Sequence, residues 1–362
     1  MRSQQAQERP RWPVSVDEYA AFRKNGFLVV HNLVGQDEVE ELRSHTEDLM
    51  QGRLPQQSRQ MAQRDPRGDG AISIQDLEAP PAHLSPDEKA QFFLRIHMLH
   101  RKLELHERYL LHPRILDVLE VLIGPDVLAL QSMLFLKPAG KPGQGWHQDS
   151  YYIPTLPDTL CGAWIAIDDA DEINGAMWMA KGSQVEPIYP PSEVAGYGDR
   201  LIAGIPSVSG VSEPADELND LSPIANKYDQ VLVPAKAGDV VFFGGHILHR
   251  SKKNFSPDRC RRSFVGHYCN ARSFTQWGMD TSDPVHGATT IDRETGMTNG
   301  SHVLARGDTH LPFGMPRFGT PCAALLPPEE RRRLSDASAA MMGDMDSGVM
   351  SKSRGGSGTR KE

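Results

Sequence analysis

The residues of this chain whose types and spacing could do chemistry begin with a histidine and an aspartate in Gly145-Trp-His-Gln-Asp149. On extended backbone, successive side chains alternate faces, so His147 and Asp149 point the same way and can grip one metal ion. A His-x-Asp pair by itself reads equally as a hydrogen-bonded histidine beside an acid, and a third ligand is required. Two histidines compete for that role in Gly238-Asp-Val-Val-Phe-Phe-Gly-Gly-His-Ile-Leu-His-Arg-Ser251, namely His246 and His249. Two imidazoles and one carboxylate on one face of an iron leave positions open for a cosubstrate and O2, the arrangement of non-haem Fe(II) oxygenases. Zinc accepts the same donors, so the residue types specify a metal site more firmly than the metal.

A site for an acidic cosubstrate beside the metal would separate these cases. Arg259, Arg261 and Arg262 follow the second histidine on a turn that leads into a strand, and a guanidinium can clamp a carboxylate with two parallel hydrogen bonds. If that strand alternates, Arg261, Ser263, Val265 and His267 share one face. The competing reading is a solvated basic face on an acidic protein.

These residues need a scaffold that brings distant segments together. Val127 to Lys137, Cys161 to Ile167, Ala176 to Met179, Val231 to Val233, Val240 to Phe243 and Arg262 to Tyr268 are short β-branched or aromatic runs between Gly, Pro, Asp and Asn clusters, the spacing of an antiparallel sandwich or barrel. Ahead of them, Ser15-Val-Asp-Glu18 reads as a capping box for a helix that Gly26 closes, and Phe27 to Val30 as a strand. Val39, Leu42, Leu49 and Met50 recur at helical spacing, as do apolar residues between Phe92 and Leu111 and from Ile115 to Leu122. The 32 Gly and 27 Pro supply the turns such a strand-rich core needs. Tyr151, Tyr152 and Ile153 follow the first motif and read either as substrate contacts or as core packing.

Composition narrows the function classes. Against 47 Asp+Glu, the 39 Lys+Arg leave a net charge of -8, no footprint for a phosphate backbone, so nucleic acid is not an expected partner. The four cysteines, Cys161, Cys260, Cys269 and Cys322, form no CxxC pair, which disfavours a zinc ribbon or disulfide scaffold. The start of the chain has no apolar signal core and no apolar run approaches a membrane span, so a cytoplasmic protein without membrane contact is expected.

With Gln131-Ser-Met-Leu-Phe-Leu-Lys-Pro138, Trp146-His-Gln-Asp149, Cys161-Gly-Ala-Trp-Ile-Ala166, Asn174-Gly175 and His249-Arg-Ser251 followed by Arg261, the chain resembles the phytanoyl-CoA dioxygenase family from about Ser15 to Asn270. The resemblance implies a mainly β fold with flanking helices around a double-stranded β-helix, a cupin-like jelly-roll core. It implies Fe(II), 2-oxoglutarate and O2 as cofactor and cosubstrates. Carried over by position, it makes His147, Asp149 and His249 the iron ligands and His246 a neighbour. It also gives Arg261 the distal carboxylate of 2-oxoglutarate, with Ser251, Trp164 and Met133 lining that pocket and Arg95 where the family has a cosubstrate-binding lysine. The turn from His249 to Arg261 is one residue longer than the family's usual spacing, which keeps Arg259 and Arg262 as alternative clamps.

The implied reaction hydroxylates an unactivated C-H of a small organic substrate while releasing succinate and CO2; related halogenases lack the carboxylate that Asp149 supplies here. The rival readings are a zinc hydrolase on the same triad and a non-catalytic metal-binding jelly-roll module. Organisation follows: a single catalytic domain over 15–328 with its core at about 127–270, lid segments at 51–86 and 272–328, and disordered tails at 1–14 and 329–362. The substrate class and the oligomeric state are not encoded in any of these motifs.

Overall fold

A computed structural model describes residues 10–57, 79–93, 95–189, 219, 221–275 and 302–308, and every structural statement refers to these. The first helix, α1 (Val16–Asn25), begins as its capping box requires: Ser15 Oγ accepts from the Glu18 amide and the Glu18 carboxylate accepts from the Ser15 amide at 2.7 Å. Gly26, at φ 85°, ends it and turns the chain into β1 (Phe27–Val30). Helix α2 (Gln36–Met50) buries Val39, Leu42, Leu49 and Met50, the expected stripe. A short α3 (Pro86–Ala90) precedes β2 (Arg95–His97), followed by α4 (Glu104–Leu110) and α5 (Pro113–Ile123).

Helical spacing between Phe92 and Leu111 therefore misleads for its first half. Arg95 to His97 pairs as a strand with the following β3 (Val127–Lys137), and Met98, at φ 61°, breaks the chain before α4. Backbone pairing along a long strand outweighs a local apolar rhythm.

Nine further strands complete the core: β4 (Gln144–His147), β5 (Thr155–Leu156), β6 (Cys161–Ala166), β7 (Met177–Lys181), β8 (Asp229–Val233), β9 (Val240–Gly244), β10 (His249–Ser251), β11 (Arg261–Asn270) and β12 (Phe274–Thr275). A last strand, β13 (Val303–Arg306), lies beside β3. The major sheet runs β1-β9-β6-β11-β3-β13, with β2 also on β3, and the minor sheet runs β4-β10-β7-β8; β5 and β12 form a separate pair. All these pairings are antiparallel.

Alternation along the strands divides the major sheet into two faces. Phe264, Leu134, Ile165 and Phe242 pack outward with residues of α2, α4 and α5 in the largest apolar cluster. Val265, Trp164, Val241 and Phe243 face inward against Met177, Met179 and Val233 of the minor sheet. This sheet-on-sheet layering with helices on one outer face is the expected jelly-roll.

Parts of the expected excursions belong to this body. Trp12 packs on the outer cluster and its amide donates to Asp117 at 2.8 Å, while Arg306 on β13 holds Asp117 and Glu120 at 2.6 and 2.7 Å. Residues 1–9, 58–78, 276–301 and 309–362, which include the rest of the expected tails and lids together with His286, His310 and Cys322, lie outside the described residues.

Candidate metal centre

The two histidines meet because β4 and β10 pair with His147 directly opposite His249. Their rings lie 4.1 Å apart between centroids. Each ring is oriented by its own backbone: His147 Nδ1 lies 2.8 Å from the Gly145 carbonyl and His249 Nδ1 3.1 Å from the Ile247 carbonyl. A carbonyl only accepts, so Nδ1 carries a proton in both rings and Nε2 is the atom turned to the cluster; at His147 it accepts from the Gln144 side-chain amide at 3.1 Å.

Asp149 enters from the next turn. The strand ends at His147, Gln148 stays extended, and Asp149 is the first residue of α6 (Asp149–Tyr152). The alternation expected for His-x-Asp thus survives the end of the strand. Gln148 points away, donating to the His246 carbonyl at 2.8 Å, and the Ser150 amide donates to the Gly245 carbonyl at 2.9 Å. That approach is close enough that a Cβ on Gly245 would lie 2.0 Å from Ser150 Oγ. Asp149 Oδ1 lies 3.5 Å from His147 Nε2 and 3.7 Å from His249 Nε2. Ligand atoms of all three residues fall within 4.8 Å of one another, the only such group of three among the described residues.

Burial and neighbouring charge hold His147 and Asp149 in their metal-binding protonation states. Burial first, and then the adjacent His249, lower the His147 imidazole to about 3, so it is neutral at physiological pH. For Asp149, burial alone would raise the carboxyl, but His249, the hydrogen bond from His267 and His147 outweigh it and keep the carboxyl below the ordinary carboxylate range.

His246 is engaged elsewhere. Its Nδ1 donates to the Glu186 carbonyl at 2.9 Å and its Nε2 contacts the Asp158 carboxylate. The hydrogen bond to Asp158 raises its pKa.

The three arginines also separate. Arg259 pairs with both oxygens of Asp171 at 2.7 and 3.0 Å, and Arg262 holds Asp168 at 2.8 and 2.9 Å and Glu47 at 3.0 Å. Arg261 turns inward, 3% exposed, with its guanidinium 5.8 Å from the centre of the Trp164 ring and one hydrogen bond, to Ser263 Oγ at 3.1 Å. Its Nε is buried without a partner among the described residues, and burial lowers its pKa to about 10. Trp164 and Met133 lie opposite Val265 on either side of β11, on the same inner face. Ser251 Oγ accepts from the buried Lys137 Nζ at 2.9 Å. Arg95 is buried on β2 opposite Phe135 and near enough to His147 to disfavour its protonated form. Ile153 belongs to an apolar core cluster with Leu128, Leu130 and Leu160, and the half-buried Tyr152 packs against it. The Tyr151 ring stands edge-on to Tyr152 at 4.9 Å.

Two residues to which the sequence reading attached no role stand at the centre. Lys137, inside the Leu-Lys-Pro motif, holds Ser251. His267, on the face predicted by alternation, donates from Nε2 to Asp149 Oδ2 at 2.9 Å.

Comparison with known proteins gives a consistent picture. The family model described as phytanoyl-CoA dioxygenase (PhyH) matches residues 22–263. The peroxisomal phytanoyl-CoA dioxygenase of Rattus norvegicus is 26% identical over 261 residues, 70% of this chain and 68% of that protein. Among solved structures, the epimerase SnoN in complex with Fe3+, alpha ketoglutarate and nogalamycin RO aligns at TM-score 0.53 and 20% identity, over 83% of this chain and 94% of its own. EctD from S. alaskensis with bound Fe aligns at TM-score 0.50 and 19% identity, over 71% and 77%. At these identities the structural likeness speaks to the fold.

Proposed function

Because the chain belongs to the phytanoyl-CoA dioxygenase family, we propose that it is a non-haem Fe(II)- and 2-oxoglutarate-dependent dioxygenase that hydroxylates an unactivated C-H of a small organic substrate. The donor set fits the metal: two imidazoles, each turned by a backbone carbonyl at Nδ1 so that Nε2 points into the cluster, and one carboxylate oxygen converge, the ligand types of the facial iron triad. His147, Asp149 and His249 would hold the ion.

The observation that carries the reading beyond a metal site is Arg261. A guanidinium buried at 3% whose Nε has no partner and which pairs with no carboxylate among the described residues is costly unless an anionic ligand completes it. A dicarboxylate whose other end lies at the metal would do so. In this role Arg261 fixes the distal carboxylate, Ser263 orients the guanidinium, and Trp164 and Met133 form the walls. Ser251, tied to Lys137, would donate its hydroxyl proton to the same cosubstrate. Bound iron with 2-oxoglutarate and O2 supplies an oxidation that releases succinate and CO2 and delivers one oxygen atom to the substrate. The chain's own contribution is orientation and the exclusion of water by the apolar layer of Val241, Phe243, Met179 and Val265.

The test is succinate formation from 2-oxoglutarate by anaerobically iron-loaded protein exposed to O2, across acyl-CoA thioesters, small zwitterions and secondary metabolites, with product mass read for one added oxygen. Arg261→Gln is expected to raise the KM for 2-oxoglutarate by ~10-fold or more, the scale of a lost charge-assisted pair. Turnover with zinc but not iron, or an unchanged KM, would reject the assignment.

A further inference from the structure

We propose that His267 is a positioning residue that restricts Asp149 to one-oxygen ligation; this rests on the metal-site reading above. Asp149 presents Oδ1 to His147 and His249, and His267 Nε2 occupies Oδ2 at 2.9 Å. His267 is 5% exposed and lies outside the three-residue ligand cluster, so its contact with the metal site passes through the carboxylate.

The fold aims His267 at that oxygen. Arg261 and His267 stand on the same face of β11, six residues apart, so the strand that carries the inward guanidinium also carries the group that orients the ligand. Immediately after His267 the β11–β3 register slips: His267 opposes Gln131, but Tyr268 opposes Ala129, leaving Leu130 unpaired. Beyond the slip the inner face of β3 and β11 becomes apolar, with Leu128, Leu130 and Cys269 in one cluster. His267 is therefore the last inward residue of β11 ahead of this apolar stretch, beside a bulge whose extra residue, Leu130, lies on the partner strand β3.

The chemical consequence is geometric. A carboxylate free at both oxygens can turn to chelate an ion and take two coordination positions, whereas an N–H on the second oxygen uses one of its lone pairs and fixes the carboxylate's orientation, favouring ligation through the other oxygen. His267 thereby keeps one more position open for cosubstrate and O2.

Co(II) is the probe, since its visible d–d absorption weakens as coordination number rises. His267→Phe preserves a buried ring and removes the donor; His267→Gln places an amide N–H near the position of Nε2. Co(II) titrated into the full chain by calorimetry and absorption is expected to bind His267→Phe ~10–100-fold more weakly than wild type, with weaker bands. His267→Gln is expected to recover most of both. In an Asp149→Ala background, His267→Phe should cost nothing further, because its effect passes through the carboxylate. Wild-type affinity and spectrum in His267→Phe, equal damage in His267→Gln, or an undiminished loss in the Asp149→Ala background would each overturn the proposal. A wild type that does not bind Co(II) would instead overturn the metal-site reading on which it stands.

Discussion

Two histidines three residues apart, His246 and His249, differ in what their ring nitrogens have left to offer. His249 spends Nδ1 on the Ile247 carbonyl and keeps Nε2 for the cluster, whereas both nitrogens of His246 are taken by Glu186 and Asp158. His249→Ala is therefore expected to abolish metal binding and oxidation. His246→Ala should leave metal affinity within about threefold while costing about 1–3 kcal/mol of stability through the lost charged hydrogen bond. Equilibrium dialysis with Co(II) and urea unfolding of both variants check this, and loss of metal in His246→Ala would reverse the ligand choice. The shared face of His147 and Asp149 was legible in the sequence because alternation links neighbours along a strand, whereas Arg261 was set apart from Arg259 and Arg262 only by the family resemblance. The partners that make His246 unavailable and His267 useful were not, since Asp158 and Asp149 reach them across 88 and 118 positions of chain.

Among the elements, short β-branched runs punctuated by Gly and Pro located β3, β6, β9 and β11 almost to the residue, because each must fill an inter-sheet layer of fixed depth. The Phe92–Leu111 segment escaped that logic: its apolar spacing is helical, yet the free side of β3 captured Arg95–His97. Further along it, α4 places His106 between His45 of α2 and Phe264 of β11, wholly buried and with neither ring nitrogen hydrogen-bonded. Burial, and then His45 and His100, hold His106 well below its ordinary pKa. The folded protein thus refuses a proton that the unfolded chain accepts near pH 6.5, so this contribution is present above that pH and lost as pH falls. Between pH 7.5 and 5.5 one such histidine costs on the order of 1 kcal/mol. His106→Leu should narrow the difference in urea unfolding free energy between pH 7.5 and pH 5.5 by about that 1 kcal/mol; an unchanged difference would mean that His106 is protonated in place.

At the scale of the whole molecule, the candidate centre ties together parts that the chain keeps far apart. His147 ends β4 and His249 begins β10 of the minor sheet, Asp149 opens α6, and His267 belongs to the major sheet. A ligand that binds only when all of them are assembled binds the native state alone, so it stabilises the entire fold by mass action rather than one strand pair. At a free concentration one hundred times its Kd, a divalent ion contributes about 2.7 kcal/mol, which for a chain of this size raises Tm by roughly 4 °C. Differential scanning calorimetry of the chelated protein with and without Co(II) measures it. The rise should shrink in Asp149→Ala and persist in full in His246→Ala, because only the former removes a converging donor. An equal rise in Asp149→Ala would locate the stabilising ion elsewhere on the molecule, and the two sheets would then be held together at this end by their apolar layer alone.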